Sequence, residues 1–287
     1  MRHALVFGGT GQIGEPLIDR LRRDGWRITA LSRTPQRDEP GLTWLQGDFD
    51  ARPPLPAQVD AIVSAGPLDA FSHWYARAGI DAARVVAFGS TSVAVKQHSI
   101  DPDERDVAQR LQLAEDRLAT VARGRGAAFT MLRPTLVYGA ARDATLSRIA
   151  RIAHRVRWFP LPRRANGLRQ PVHVADLANA AVDCLPAQEA FDRAFDLPGG
   201  ETLPYREMVR RVLRVLDPPA HLLELPLPVF EFALHAAQAR GMATGFGDAA
   251  IERMRRDLVF DIAPARDAFG YAPRAFVPNA AMFPREA

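Results

Sequence analysis

The sequence predicts an α/β fold: a doubly wound parallel sheet carrying a small, mainly helical lobe in its C-terminal half. Three observations predict it. Short apolar runs alternate with segments of helical spacing through the first half of the chain, the pattern of βαβ units. The runs are nearly continuous in apolar character, as strands are when helices cover both faces of a sheet. The 287 residues, 47% hydrophobic and 24% charged, suffice for one large core or a core plus a lobe.

The elements follow in chain order. His3–Gly8 is the first apolar run, and it ends in glycine. Gln12–Asp24 then sets Ile13, Leu17, Ile18 and Leu21 at helical spacing. Trp26–Leu31, Thr43–Gln46, Val59–Ser64, Arg84–Phe88 and Ala128–Leu132 read as further strands, with a long helix over Pro102–Arg123 before the last of them. Beyond Tyr138 the alternation loosens and proline becomes more frequent. Helices are expected over Ala144–Arg155, Ala175–Leu185, Pro204–Val215 and Val229–Arg240, and extended pieces at Trp158–Pro162 and Arg169–Val174. The expected division is a sheet domain over residues 1–140 and a lobe over 141–287, some of whose segments return to the sheet.

Composition narrows the function. The net charge is only +4, and Lys96 is the sole lysine. The arginines alternate with acids, as in Asp103–Arg105 and Glu252–Arg256, which reads as solvated helix faces and not as the clustered stripe of a nucleic-acid binder. Cys184 is the single cysteine, so no intrachain disulfide forms, and its apolar helical neighbours make it a core residue. No apolar run is long enough to span a bilayer and no leader pattern is present, so a cytoplasmic protein is expected. The histidines lack partners at ligand spacing, so no metal site is expected.

The turn Gly8-Gly9-Thr10-Gly11-Gln12-Ile13-Gly14 joins the first strand to the first helix. One glycine permits the tight turn, a second lets a pyrophosphate approach the backbone, and a third lets helix and strand pack closely. The helix N-terminus presents free N–H groups to the phosphates. In this strand–turn–helix context the spacing predicts a Rossmann-type unit that binds a dinucleotide along Gly8, Thr10, Gly11, Gln12, Ile13 and Gly14. The end of the second strand reads Ala30-Leu31-Ser32-Arg33-Thr34, with no acid before Asp38. An acid there would bind ribose hydroxyls; Ser32 and Arg33 suit a 2′-phosphate, so NADP(H) is expected over NAD(H).

Later segments carry a family resemblance. They are Gly47-Asp48, Ser64-Ala65-Gly66, Phe88-Gly89-Ser90-Thr91-Ser92, Leu132-Arg133-Pro134-Thr135-Leu136-Val137-Tyr138-Gly139, Gln170-Pro171-Val172-His173-Val174-Ala175-Asp176-Leu177-Ala178 and Pro198-Gly199-Gly200. Together with the glycine turn they resemble the extended short-chain dehydrogenase/reductases, the group of nucleotide-sugar epimerases and dehydratases. The resemblance implies that Asp48 approaches the adenine, that Ser64, Ala65 and Gly66 flank the ribose and nicotinamide, and that Ser90–Ser92 form the active-site hydroxyl cluster. It also exposes a departure. The family's Tyr-x-x-x-Lys pair is absent: none of Tyr75, Tyr138, Tyr205 and Tyr271 has a lysine four residues on, and aligning Ala114-Glu115 puts Val107 and Leu111 at those positions. The chain therefore resembles an atypical member.

Candidate catalytic residues are Thr91 and Ser90, whose hydroxyls can polarise a substrate carbonyl, and His173, which can shuttle protons near neutral pH. The alternative reading is that one hydroxyl caps the following segment, and that His173 is a packing or orienting residue. Asp176 is expected to cap the helix beginning at Leu177. Ser92, Tyr138 and Arg169 are candidate substrate contacts, Arg169 for an anionic group. The reading is an NADP(H)-dependent oxidoreductase or epimerase-like enzyme on a small carbonyl or hydroxyl substrate. The alternative is a non-catalytic dinucleotide-binding redox sensor or assembly subunit. The sequence leaves the oligomeric state open.

Overall fold

The computed structural model describes residues 1–50, 54–143, 145–239 and 248–284. In chain order the first half contains β1 (His3–Phe7), α1 (Gly14–Arg23), β2 (Arg27–Ser32), β3 (Leu42–Gln46), β4 (Gln58–Ser64), α2 (Leu68–Arg77), β5 (Asp81–Phe88), the one-turn α3 (Ser92–Val95), α4 (Pro102–Gly124) and β6 (Ala128–Pro134). The second half contains β7 (Val137–Tyr138), α5 (Leu146–Val156), β8 (Trp158–Pro162), β9 (Leu168–Arg169), β10 (Val172–His173), α6 (Val174–Asp183) and β11 (Arg193–Leu197). It continues with β12 (Leu203–Pro204), α7 (Tyr205–Val215), β13 (His221–Leu225), α8 (Leu227–Ala239), α9 (Asp248–Arg255) and α10 (Ala263–Phe269).

Seven strands form one sheet in the order β11-β6-β5-β4-β1-β2-β3, all parallel. This is the expected Rossmann-type doubly wound sheet. The chain order reverses between β1 and β4, which opens the crevice where such sheets bind ligands. The two-residue period of β1 serves both faces. Ala4 and Val6 join a core with Leu17, Ile18 and Leu21 of α1 and with Leu177, Ala180 and Ala181 of α6. Leu5 and Phe7 join the opposite core with Phe71 and Tyr75 of α2 and Ala114 and Leu118 of α4. Leu17 and Leu21 are fully buried, so truncating either to Ala costs about 2–5 kcal/mol.

The helix α4 shows why its ends lie where they do. Pro102 occupies its first turn, where a missing N–H costs nothing, and the Asp101 carboxylate accepts the Asp103 N–H at 2.9 Å. A separate apolar cluster underlies the second half: Leu146, Ile149 and Ala153 of α5 meet Met208, Val209 and Val212 of α7 and the strand pair β8–β13.

Most expected elements are present with shifted ends. Of the expected helix Ala144–Arg155, α5 covers the part from Leu146, and Ala144 lies outside the described residues. Of Val229–Arg240, α8 covers the part to Ala239, and Arg240 lies outside them. The expected extended piece Arg169–Val174 is two short strands, β9 and β10, because Pro171 breaks the ladder between them. The strand β11 went unread in the sequence: its buried Phe195 and Leu197 alternate with polar residues, and it completes the sheet by pairing Phe195 with Leu132. Among the described residues no helix is long and apolar enough to cross a membrane.

Candidate active site

The glycine turn is built by close backbone approach. Gly8 adopts φ +72°, and a Cβ there would lie 2.7 Å from the Ala65 carbonyl carbon and the Gly66 nitrogen. A Cβ on Gly14 would lie 2.0 Å from the Gly8 carbonyl oxygen. That oxygen accepts the Gly11 N–H at 2.9 Å. The N–H groups of Gln12 and Ile13 donate to no backbone carbonyl among the described residues. The Gln12 Oε1 and Ser64 Oγ atoms are buried there without a hydrogen-bond partner among the described residues. Unspent donors at a helix N-terminus, with orphaned polar atoms beside them, fit a phosphate-bearing dinucleotide.

At the end of β2, Ser32 is buried and its hydroxyl oxygen accepts the Thr34 N–H at 3.2 Å. Arg33 is exposed and has no salt-bridge partner among the described residues. Asp48 follows β3, and its carboxylate accepts the Asp50 N–H at 2.9 Å. Arg142, from the loop after β7, reaches back across the turn. It donates to the Thr10 carbonyl at 2.7 Å and pairs with Glu15 at 3.0 Å.

Beyond the C-terminal end of β5 lies a cavity of about 320 Å³. Ser90, Thr91 and Ser92 form one wall. Lys96, Arg148, Arg169 and Arg253 supply its charged lining, and among the described residues no carboxylate side chain lines it. The three hydroxyls differ in what they already hold. Thr91 Oγ1 donates to the Pro134 carbonyl at 3.2 Å. Ser90 Oγ accepts the Ser92 N–H at 3.1 Å and donates to Ser92 Oγ at 3.0 Å.

Two candidates are engaged otherwise than the sequence suggested. His173 does not line this cavity: its Nδ1 accepts the Ala175 N–H at 3.1 Å, so it is the cap of α6. Burial, and then Arg274, hold its pKa below the ordinary value. Arg169 lines the cavity but is buried. It donates to the carbonyls of Leu168 at 2.7 Å and Arg256 at 2.9 Å, and also to Arg253, while lying over the Tyr205 ring. That anchors the segment after α9 and leaves little of the guanidinium for a ligand. Burial lowers its pKa to about 10.

Asp176 is not a cap, contrary to expectation. The helix begins three residues earlier than Leu177, and the carboxylate instead pairs with Arg274 at 2.8 Å and accepts the Arg274 N–H at 3.0 Å. Tyr138 is buried edge-on to His173 and Phe276, with ring centroids 5.1 and 4.9 Å away. Burial, reinforced by Asp176, pushes its hydroxyl up to about 12, which makes it a poor proton donor. Val107 and Leu111 are half-buried on α4.

Sequence reasoning missed the cluster around Glu104. This buried acid in the first turn of α4 lies 3.6 Å from Lys96 Nζ, pairs with Arg253 from α9, and accepts the Ser99 hydroxyl at 2.7 Å. Only folding brings residues 96, 104 and 253 together. The available signal was that the chain's single lysine stands four residues after Ser92.

Comparison with known proteins agrees with the fold and with the resemblance. The model of the NAD dependent epimerase/dehydratase family matches residues 4–84. A UDP-glucose 4-epimerase of Vibrio cholerae is 26% identical over 56% of this chain and 46% of its own length, so the chain spans less than half of that protein. A (4-alkanoyl-5-oxo-2,5-dihydrofuran-3-yl)methyl phosphate reductase of Streptomyces griseus is 27% identical over 91% of this chain and 90% of its own. Among solved structures, the epimerase Mth375 of Methanothermobacter thermautotrophicus superposes with a TM-score of 0.69 at 16% identity, covering 96% of this chain and 88% of that one.

Proposed function

We propose that this chain, an atypical relative of the extended short-chain dehydrogenase/reductases, is an NADP(H)-dependent oxidoreductase or epimerase-like enzyme acting on a small carbonyl or hydroxyl substrate. The observation that carries the reading is the cavity at the end of β5, walled by Ser90, Thr91 and Ser92. Its volume of about 320 Å³ falls in the range of small-molecule sites. The dinucleotide lies along Gly8–Gly14, with Ser64–Gly66 beside its nicotinamide ribose and Asp48 towards its adenine. Ser32 and Arg33 hold the 2′-phosphate, which an exposed, unpaired guanidinium suits. Residues 1–140 bind the dinucleotide, and residues 141–287 supply the substrate lobe, with α6 and β11 returning to the sheet domain.

When bound, the nicotinamide supplies or accepts a hydride. The chain's own part is to hold the substrate oxygen against the hydroxyls and to exclude water. The cationic lining, in which Lys96 and Arg253 share the single acid Glu104 and, among the described residues, no carboxylate lines the cavity, favours a substrate with an anionic group. The name of the Streptomyces griseus relative, a phosphate-ester reductase, points the same way. The missing Tyr/Lys pair favours a second reading, a non-catalytic redox sensor or assembly subunit. Open space beside the hydroxyls speaks for catalysis, because hydride transfer needs room for a second reactant.

Calorimetry with NADPH and NADH, followed by NADPH consumption over a panel of anionic and neutral ketones, tests the proposal. Saturable NADPH binding with turnover of an anionic ketone is expected. Absence of binding by either dinucleotide refutes the reading, and binding with no turnover leaves the sensor.

A further inference from the structure

We propose that Ser92 and Lys96 form the proton-delivering pair of this cavity, in place of the tyrosine and lysine missing from α4. The assignment rests on the oxidoreductase reading above. Lys96 N donates to the Ser92 carbonyl at 3.0 Å, so the two residues stand one helical turn apart, Ser92 opening α3 and Lys96 capping its end. At that spacing their side chains share a face, and both line the cavity.

Proton accounting singles out Ser92. A hydroxyl has one proton to give. The Ser90 proton goes to Ser92 Oγ and the Thr91 proton goes to the Pro134 carbonyl. The Ser92 proton is spent on no acceptor among the described residues, so it is the hydroxyl of the three that is free to meet a substrate oxygen. A serine alone is a poor acid near neutral pH and needs a source behind it.

Lys96 is that source. Its ammonium stands at the cavity wall, held 3.6 Å from Glu104, which Arg253 and Ser99 fix in turn. Composition adds an independent reason. Every other one of the 37 Lys and Arg residues is arginine, including those in the structural ion pairs of this chain. Arginine does not release its proton in proteins, whereas lysine does. Of the Lys and Arg side chains, the one able to give up a proton stands at the cavity. Its side chain is 26% exposed, which opens it to water.

The step balances. Hydride from a bound reduced nicotinamide, the two-electron reductant, adds to the carbonyl carbon and the C=O π bond breaks. The oxygen takes the Ser92 proton, Ser92 recovers one from Lys96 through a water in the cavity, and the resulting amine takes a proton from the solvent. Oxidation of an alcohol runs the same transfers in reverse.

Because Lys96 is the sole lysine, it can be observed without interference. The full chain is labelled with an amine-acylating ester, and the peptide carrying residue 96 is followed by mass spectrometry, with and without NADPH plus a ketone that the wild type reduces. Bound ketone should slow labelling about fivefold or more. In kinetics, Lys96→Met and Ser92→Ala should each lower kcat about 10²-fold while NADPH affinity stays near wild type. Lys96→Arg keeps the charge and the Glu104 contact but should not restore turnover.

Full turnover in Lys96→Arg would overturn the assignment, since charge alone would then suffice. So would a Lys96→Met variant with the wild-type rate. If the wild type binds NADPH but reduces no ketone, unchanged labelling of Lys96 in the presence of NADPH and the panel overturns it as well. If no dinucleotide binds, the oxidoreductase reading fails first and this pair falls with it.

Discussion

Replacing Gly14 by alanine should separate the requirements of the turn from those of the fold. The new Cβ would lie 2.0 Å from the Gly8 carbonyl oxygen and 2.7 Å from both the Gly8 carbonyl carbon and the Gly9 Cα. Ordinary contact begins near 3.4 Å, so backbone must retreat by more than an ångström. Gly8 has little room to retreat, because its own Cβ position is 2.7 Å from Ala65 and Gly66. Overpacking of this kind costs about 1–3 kcal/mol. Alanine at the first residue of α1 returns up to about 1 kcal/mol of helix propensity. The net loss of stability is then about 0–3 kcal/mol, small enough for an ordinary domain to remain folded.

The comparison variant is Gly25→Ala. Gly25 also has a positive φ of +72°, but no atom lies within 4 Å of its Cβ position, so only backbone strain of about 1–2 kcal/mol is incurred. The two variants should melt at similar temperatures. Calorimetry with NADPH should find Gly25→Ala near wild type and Gly14→Ala weaker by about tenfold or more, roughly 1.4 kcal/mol. Wild-type NADPH affinity in Gly14→Ala, or equal weakening in Gly25→Ala, would refute the placement of the dinucleotide.

Three further outcomes are expected. Arg33→Ala should remove about 1.5–3 kcal/mol of any preference for NADPH over NADH, read as the ratio of the two dissociation constants; an unchanged ratio means that Arg33 does not discriminate. Asp143→Ala should lower stability by about 2 kcal/mol in urea titration, because its buried carboxylate accepts from the N–H groups of Thr145, Leu146 and Ser147 and from the Ser147 hydroxyl; a loss near zero would show that water replaces it. His3 and His173 both have pKa values lowered by burial, so the stability they contribute is complete above 6.5 and is lost as pH falls through their folded values. His173→Asn keeps an acceptor for the cap of α6 and should therefore reduce, though not abolish, the acid sensitivity of the urea midpoint. An unchanged slope would mean that His173 is not the titrating group.

The contrast between what was legible and what was not has a physical basis. The alternating sheet elements were legible because burial on both faces imposes a long apolar run on every central strand. The edge strand β11 escaped, since half of its residues face solvent and its period competes with turn residues around Asp192 and Pro198. The glycine turn was legible because the spacing of its glycines is a backbone requirement, and backbone requirements are written locally. That His173 and not Asp176 caps α6 was not legible, because the start of α6 is set by Pro171 and by the pairing of β10 with β7, both tertiary matters.

The sequence by itself determined the class of sheet, the place of the dinucleotide turn, the hydroxyl cluster and the absence of a Tyr/Lys pair, since each depends on residues near one another in the chain. Only the tertiary structure decided which hydroxyl keeps a free proton, which arginines are consumed as anchors, and that Lys96 and Arg253 of the cavity wall meet over the buried Glu104. Those facts depend on hydrogen-bond partners up to 149 positions apart, and no local pattern records a partner at that distance.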